Sequence, residues 1–304
     1  MGRDTGRLRE EVKRCLHAAG AAAVGFAQAA AVPEYITDRY NDWLSQGRHA
    51  GMDYMTAHND VRSDPRLLLV GARTVISMAF PYSIRQQRDS ALPAVARYAL
   101  LPDYHDWIRR AIRKSGITEL IGEEHKDWRI CVDSAPMFER WWAMQAGIAV
   151  RGRNGMAIVP GIGAEVLLAE IITTIPIEPD TPAYGDCGSC LACIKACPTG
   201  ALQDDGNIDC HRCLSYLTIE HRGAWTDSRH LDAMATPAGR NTFFGCDRCV
   251  TVCPHNNSST HAPVTCIEEM LSFAGTSAPA RSCLKRAKSE GLARNLDNCS
   301  KHVD

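Results

Sequence analysis

No charge of either sign dominates this sequence: 34 lysines and arginines stand against 35 aspartates and glutamates in 304 residues, a formal net charge of -1. A global basic field of the kind that draws nucleic acid is absent, so any such partner has to be recognised by a local patch. Long apolar runs are missing too. The most apolar early stretch, Gly20 to Val32, is alanine-rich and falls well short of the about 20 residues that span a bilayer. No twin arginine precedes it and no convincing cleavage site accompanies it. The expectation is a cytoplasmic monomer with no membrane partner. No repeat of solenoid length is present. With 45% hydrophobic and 23% charged residues the chain can form one sizeable domain and a smaller one.

Cysteine, by contrast, is abundant, at 14 residues. In a chain of this length without an export signal, that number points to metal or redox chemistry rather than to disulfides. Cys187-x2-Cys190-x2-Cys193-x3-Cys197-Pro198 is the bacterial ferredoxin run, in which three thiolates hold one cubane and the fourth reaches a second. Cys213 and Cys246-x2-Cys249-x3-Cys253-Pro254 supply four more ligands. The spacing therefore predicts two [4Fe-4S] clusters, one on Cys187, Cys190, Cys193 and Cys253, the other on Cys197, Cys213, Cys246 and Cys249. Cys210, three residues before Cys213, competes with it for the same place. Structural zinc also uses paired Cys-x2-Cys, but not four-cysteine runs ending in Cys-Pro. Cys15, Cys131, Cys266, Cys283 and Cys299 are scattered and read as small hydrophobes.

Around this segment the pattern is mixed. Leu8, Val12 and Leu16 recur every four residues and predict a helix over 6–19 that Gly20 stops. Residues 73–82 and 129–133 are short runs with β-branched residues and predict buried strands. Between them, 103–114 places Trp107, Ile108, Ala111 and Ile112 on one helical face and Arg109, Arg110, Arg113 and Lys114 on the other. Ser134-Ala-Pro136 predicts a helix start, with Ser134 as N-cap, for a helix over 137–147. Residues 156–160 and 166–177 read as further strands, giving an α+β first domain. The proline-rich stretch 176–185 sets boundaries of 1–180 for this domain, 181–257 for the cysteine domain and 258–304 for a basic tail.

Several motifs together resemble the epoxyqueuosine reductase family. They are Gly51-Met-Asp-Tyr-Met55 with Asp64-Pro-Arg66, Ala96-Arg-Tyr-Ala99 with Asp103-Tyr-His105, Val132-Asp-Ser-Ala-Pro136, Cys213-Leu-Ser-Tyr-Leu-Thr-Ile-Glu-His-Arg-Gly223 and Gly245-Cys-Asp-Arg-Cys249. The similarity runs from about residue 8 to residue 256. Leu284 to Asn295 resembles the ending of short members without a helical-repeat extension, which implies a complete chain. The resemblance implies a nitroreductase-like domain that cradles cobalamin, followed by a ferredoxin-like domain whose clusters reduce the cobalt. It implies an oxidoreductase that deoxygenates epoxyqueuosine in tRNA to queuosine, fed by an external donor of flavodoxin or ferredoxin type.

Asp133 matches the family's proton donor, a role that suits a buried carboxyl with a pKa raised toward neutrality. Arg97, Tyr98, Asp133 and Asn154, with Ser215 and Tyr216 beside a cluster ligand, are the residues the resemblance places around cobalamin. Two segments depart from the family pattern, Arg151-Gly-Arg-Asn-Gly155 and Gly163-Ala-Glu165. In the tail, Arg281, Lys285, Arg286, Lys288 and Arg294 face a single acid, Glu290, and Arg281, Lys285 and Lys288 would share one helical face suited to phosphates. Arg109, Arg110 and Arg113 would extend that footprint. Two other readings remain: a reductive dehalogenase-like corrinoid enzyme, to which the missing twin arginine is unfavourable, and a ferredoxin-type electron carrier.

Overall fold

The computed structural model describes residues 5–204, 206–257 and 259–301, and the features below belong to those residues. Eight strands occur: β1 (Ala23–Gln28), β2 (Thr74–Pro81), β3 (Ala94–Val95), β4 (Trp128–Cys131), β5 (Val150–Arg151), β6 (Ala157–Ile158), β7 (Val166–Thr173) and β8 (Thr242–Phe244). The main sheet is antiparallel, in the order β1-β2-β7-β4. Every residue of β2 is buried, which is why it reads as an unbroken apolar run.

Side chains alternate across this sheet. Ile76, Met78 and Phe80 of β2, with Ala169 and Ile171 of β7, meet Leu8, Val12 and Leu16 of the first helix, Thr5–Ala18, and Trp107, Ile108 and Ile112 of helix Tyr104–Lys114. Val75 and Ile172 point the other way, to Trp142 of helix Glu139–Gln145. Ser77 and Glu170 face each other in register on that same side, and Cys131 also pairs with Glu170. A carboxyl is thereby buried between sheet and helix.

The expected helix start at Ser134 is not found. The helix begins at Glu139, Phe138 stands at its N-cap, and no side chain caps it. Asp133 takes φ +54, turning the chain out of β4, and the Ser134 hydroxyl is engaged instead by the Arg109 guanidinium at 3.0 Å and by the Val132 carbonyl at 3.3 Å.

The cysteine segment is interlocked with what precedes it. β3 pairs in parallel with β8, the Trp43 indole donates to the Ile208 carbonyl at 2.7 Å, and the Cys210 amide donates to the Arg48 carbonyl at 2.9 Å. Helix Ala192–Ala196 packs on helix Arg248–Thr251, bringing the two cysteine runs together. The tail also departs from expectation. A short 3-10 turn, Cys283–Ala287, precedes helix Lys288–Ser300, and both Arg281 and Lys288 take φ +61. Arg281, Lys285 and Lys288 therefore do not lie along one helix. Leu284, Ala287 and Leu292 anchor the tail on Phe243 and Phe244.

Candidate active site and cysteine centre

Cys187, Cys190, Cys193 and Cys253 line one small pocket together with Arg153, Asn154 and His255. The backbone N–H of Arg153 donates to Cys187 Sγ at 3.3 Å. The other set converges as well. Burial first, and then the charges of Cys213, Cys246 and Cys197, with Cys193 last, push the Cys249 thiol well up. Cys210 differs. It is buried among Leu214, Tyr216, Leu217 and Met234, and Cys213 alone among the cysteines acts on it.

The first turn of helix Tyr104–Lys114 meets the end of β4. Tyr104 Oη donates to Asp133 Oδ2 at 2.7 Å, and His105 Nε2 lies 3.2 Å from the same oxygen. Asp103, the N-cap, accepts from the His105 amide at 3.2 Å, and its Oδ1 lies 2.7 Å from Nδ1 of the His105 ring. Lys285 from the tail closes the chain with Nζ 2.6 Å from Asp103 Oδ2. Burial works against an imidazolium at His105, but the hydrogen bonds with Asp103 and Asp133 carry its pKa to about 9.

Asp133 corrects the expectation of a raised pKa. Burial pushes its carboxyl up, yet the hydrogen bonds from His105 and Tyr104 prevail and hold it below its ordinary value. The side chain is 58% exposed, although the protein around it acts strongly on its proton. Its charge reaches Tyr54, Tyr98 and Tyr104, and those of Glu220 and Asp247 also reach Tyr98. Tyr98 stacks edge-on to both Tyr82 and Tyr104. Behind Asp133, its backbone N–H donates to Glu139 Oε1 at 2.6 Å. Burial and the Asp133 charge raise Glu139 to about 8. Glu170 is raised well above its usual range by burial and by Glu139, and its Oε2 has no hydrogen-bond partner among the described residues.

The remaining candidates divide. Arg97 donates from its backbone to Asp247 Oδ2 at 2.5 Å and from Nη1 to Glu165 Oε1 at 2.5 Å, which ties it to the residue after Cys246. Ser215 is partly exposed. Asn154 is buried, with its amide donating to the Cys249 carbonyl at 2.9 Å and its oxygen accepting from the Met156 amide at 3.1 Å; it braces the cysteine centre. Tyr216 is buried too, its hydroxyl accepting from the Gly51 amide at 2.9 Å.

Arg286 pairs with Glu220 at 2.7 Å, and Arg113 with Glu124 at 2.8 Å. Arg294 donates to the carbonyls of Leu217, His221 and Gly223 at 2.9, 3.1 and 2.7 Å and lies over the Trp225 ring. Its fork thus serves the backbone, whereas Arg281, Lys288 and Arg110 are exposed. Reading by motif gave no roles to Tyr104, His105, Glu139 or Glu170. The signal for the first two was the Asp103-x-His105 spacing at a helix N-terminus.

Comparison with known proteins defines the class first. Residues 186–256 match the family model described as a 4Fe-4S double cluster binding domain, so the chain is an iron–sulfur protein. Residues 62–134 match the model for epoxyqueuosine reductase QueG, DUF1730. A curated epoxyqueuosine reductase of Cyclobacterium marinum is 37% identical over 94% of this chain and 94% of its own length. That of Synechococcus sp. strain CC9605 is 35% identical over 83% of this chain and 77% of its own. A crystal structure of epoxyqueuosine reductase with an epoxyqueuosine-modified tRNA-Tyr stem loop aligns at TM-score 0.82 and 28% identity, covering 98% of this chain and 82% of that one. The Bacillus subtilis enzyme, in a form with an aspartate-bearing catalytic loop swung out of the active site, aligns at TM-score 0.81 and 27% identity, with the same coverage. The chain belongs to the epoxyqueuosine reductase family, and it is an α+β oxidoreductase. Among the described residues no helix is long and apolar enough to cross a membrane.

Proposed function

We propose that this protein reduces epoxyqueuosine in tRNA to queuosine, using cobalamin and two [4Fe-4S] clusters held by the cysteine quartets assigned above, with Cys213 rather than Cys210 in the second. The observation that carries the reading is Asp133, an exposed carboxylate held by Tyr104 and His105, whose charge reaches Tyr98 together with that of Asp247, next to Cys246. An acid for the leaving oxygen and a source of electrons then meet in one place. Division of labour follows the chain: 1–180 holds cobalamin and Asp133, 181–257 conducts electrons and 258–304 contributes tRNA contacts. An external flavodoxin- or ferredoxin-type donor supplies the electrons, and a tRNA substrate suits a cytoplasmic enzyme.

The surface around Asp133 suits a large flat cofactor: Tyr54 is half exposed, Tyr104 holds the exposed carboxylate with Tyr98 edge-on behind it, and Arg97 and Ser215 lie toward the cysteine segment. Cobalamin bound there supplies a reducible cobalt centre. The residues of the chain do the rest. Loss of an epoxide oxygen as water takes two electrons and two protons. At neutral pH the proton rests on His105, because Asp103 and Asp133 favour the imidazolium, and Asp133 stays ionised. His105 therefore gives one proton through Nε2 and Asp133 to the departing oxygen, and the second follows by the same route once the ring has taken up a proton from water. Lys285 fixes Asp103, and Asp103 fixes the ring.

The test is a cobalamin titration of anaerobically reconstituted protein, followed by reduction and assay on tRNA carrying epoxyqueuosine. A change in corrin absorption and conversion to queuosine are expected. No corrin change and no conversion would leave an electron carrier.

A further inference from the structure

We propose that His211, His230 and Asp227 form a site for one divalent transition-metal ion, zinc by its chemistry, which ties the turn carrying Cys213 to the helix that follows. His211 Nδ1 and His230 Nε2 lie 3.0 Å apart, Asp227 Oδ2 lies 3.7 Å from that Nδ1, and the three atoms are all within 4.8 Å of one another. Two ligands each about 2.0–2.1 Å from a tetrahedral ion stand roughly 3.3 Å apart, so the three atoms converge at ligand spacing. Two imidazoles and a carboxylate suit zinc, with water completing the set.

The three residues come from two elements, one turn and one helix. His211 belongs to the 3-10 turn Cys210–Arg212, whose N-cap Asp209 accepts from the His211 amide at 3.0 Å. Asp227 is the N-cap of helix Ser228–Ala235, and His230 lies buried in that helix. His221 packs edge-on against the His230 ring, with centroids 4.8 Å apart.

Arg229 opposes a cation at the site. It grips Asp227 by Nε to Oδ1 at 3.1 Å and by Nη2 to Oδ2 at 2.6 Å. The guanidinium orients the carboxylate and also competes with the ion for Oδ2. This gives the site a signature that a mere histidine–histidine hydrogen bond lacks: removing Arg229 tightens metal binding. The role is structural, because the ion crosslinks the turn two residues before Cys213 to the helix.

The experiment adds Zn2+ alone to cluster-loaded protein, followed by anaerobic gel filtration and zinc K-edge absorption spectroscopy. A stoichiometric amount of zinc is expected to remain, with nitrogen and oxygen ligands at about 2.0–2.1 Å. His211→Gln and His230→Gln should each release it with the cluster absorption unchanged, and Arg229→Gln should retain it more tightly. Sulfur scatterers at about 2.3 Å would mean that zinc had entered the cysteine centre and would overturn the proposal. So would protein that keeps no zinc, or a double histidine variant that keeps it undiminished. Should a variant lose its clusters, the spectrum of the unaltered protein decides between nitrogen and sulfur.

Discussion

His105 Nε2 stands 3.2 Å from Asp133 Oδ2, and this contact sets which of the two residues holds the proton. The imidazole is raised to about 9 and the carboxyl is held below its ordinary value, so the pair is ionised across the neutral range. A proton supply on His105 is complete below the ring's ordinary pKa of 6.5 and is lost as the pH rises through about 9. Turnover should be level through neutrality and fall with a basic limb near 9. Asp103→Asn removes one of the two carboxylates that favour the imidazolium and should move that limb to lower pH, read from single-turnover rates across pH. A limb unmoved by Asp103→Asn would separate it from His105.

Asp133→Asn keeps the size of the side chain and removes the carboxylate that relays the proton. Loss of a positioned acid costs about 100- to 10,000-fold in rate. The variant should fall by that order in conversion of epoxyqueuosine in tRNA, with iron content and cluster absorption unaltered. Full activity would remove Asp133 from the chemistry.

Glu139 stores the opposite liability. Its carboxyl is raised from 4.5 to about 8 by burial and by the Asp133 charge, so its favourable contribution to the fold is complete below about 4.5 and is lost as the pH rises toward 8. Glu139→Gln keeps an oxygen to accept the Asp133 amide but cannot ionise. The variant should lose less thermal stability than the unaltered protein between pH 5 and pH 8, measured by melting at constant ionic strength. Parallel curves would show that Glu139 does not titrate in that window.

How far such residues could be read in advance depended on the range of the interaction. The first helix, β2 and the helix holding Trp107 and Ile112 were legible because periodicity is local and each element buries a continuous face. The double-cluster segment was legible because cysteine spacing is local in sequence. Asp133 was placed by motif, yet the direction of its pKa was misread, because it depends on His105 and Tyr104, which are almost thirty residues away in sequence and contact it only in the fold. Ser134 misled because a cap signature also serves a turn, and here the positive φ of Asp133 moves the helix start to Glu139. The tail was read as one basic helix, but the break at Lys288 and the carbonyls that claim Arg294 are tertiary facts.

The two neighbouring cysteines can be separated by substitution. The charge of Cys197 reaches Cys213, whereas among the cysteines only that of Cys213 reaches Cys210. Cys213→Ser should lose about half the iron of the reconstituted protein, one cubane of two. Cys210→Ser should retain its iron and show only the modest destabilisation of a buried thiol replaced by a hydroxyl. Iron and sulfide analysis decides, and the reverse pattern would move the ligand assignment to Cys210.

The basic tail should divide into cations that hold the fold and cations that hold RNA. Arg294 reaches three backbone carbonyls and an indole ring, and charged hydrogen bonds of this kind are worth about 1.5–3 kcal/mol each where they are desolvated. Arg294→Gln should therefore lower stability by about 2 kcal/mol in denaturant titration, since the glutamine amide reaches fewer of those carbonyls. Lys285 is tied to Asp103, so Lys285→Gln should depress turnover through His105 more than it weakens RNA binding. Arg281 and Lys288 are exposed and make no ion pair among the described residues. Each contact they make with a phosphate releases counterions, so Arg281→Gln and Lys288→Gln should each reduce the slope of log affinity against log salt by about 0.7–0.9 on a tRNA stem loop, with melting unchanged. An unaltered slope in both would take the tail out of the RNA footprint and leave exposed Arg110, on the helix that carries His105, as the first cation to test.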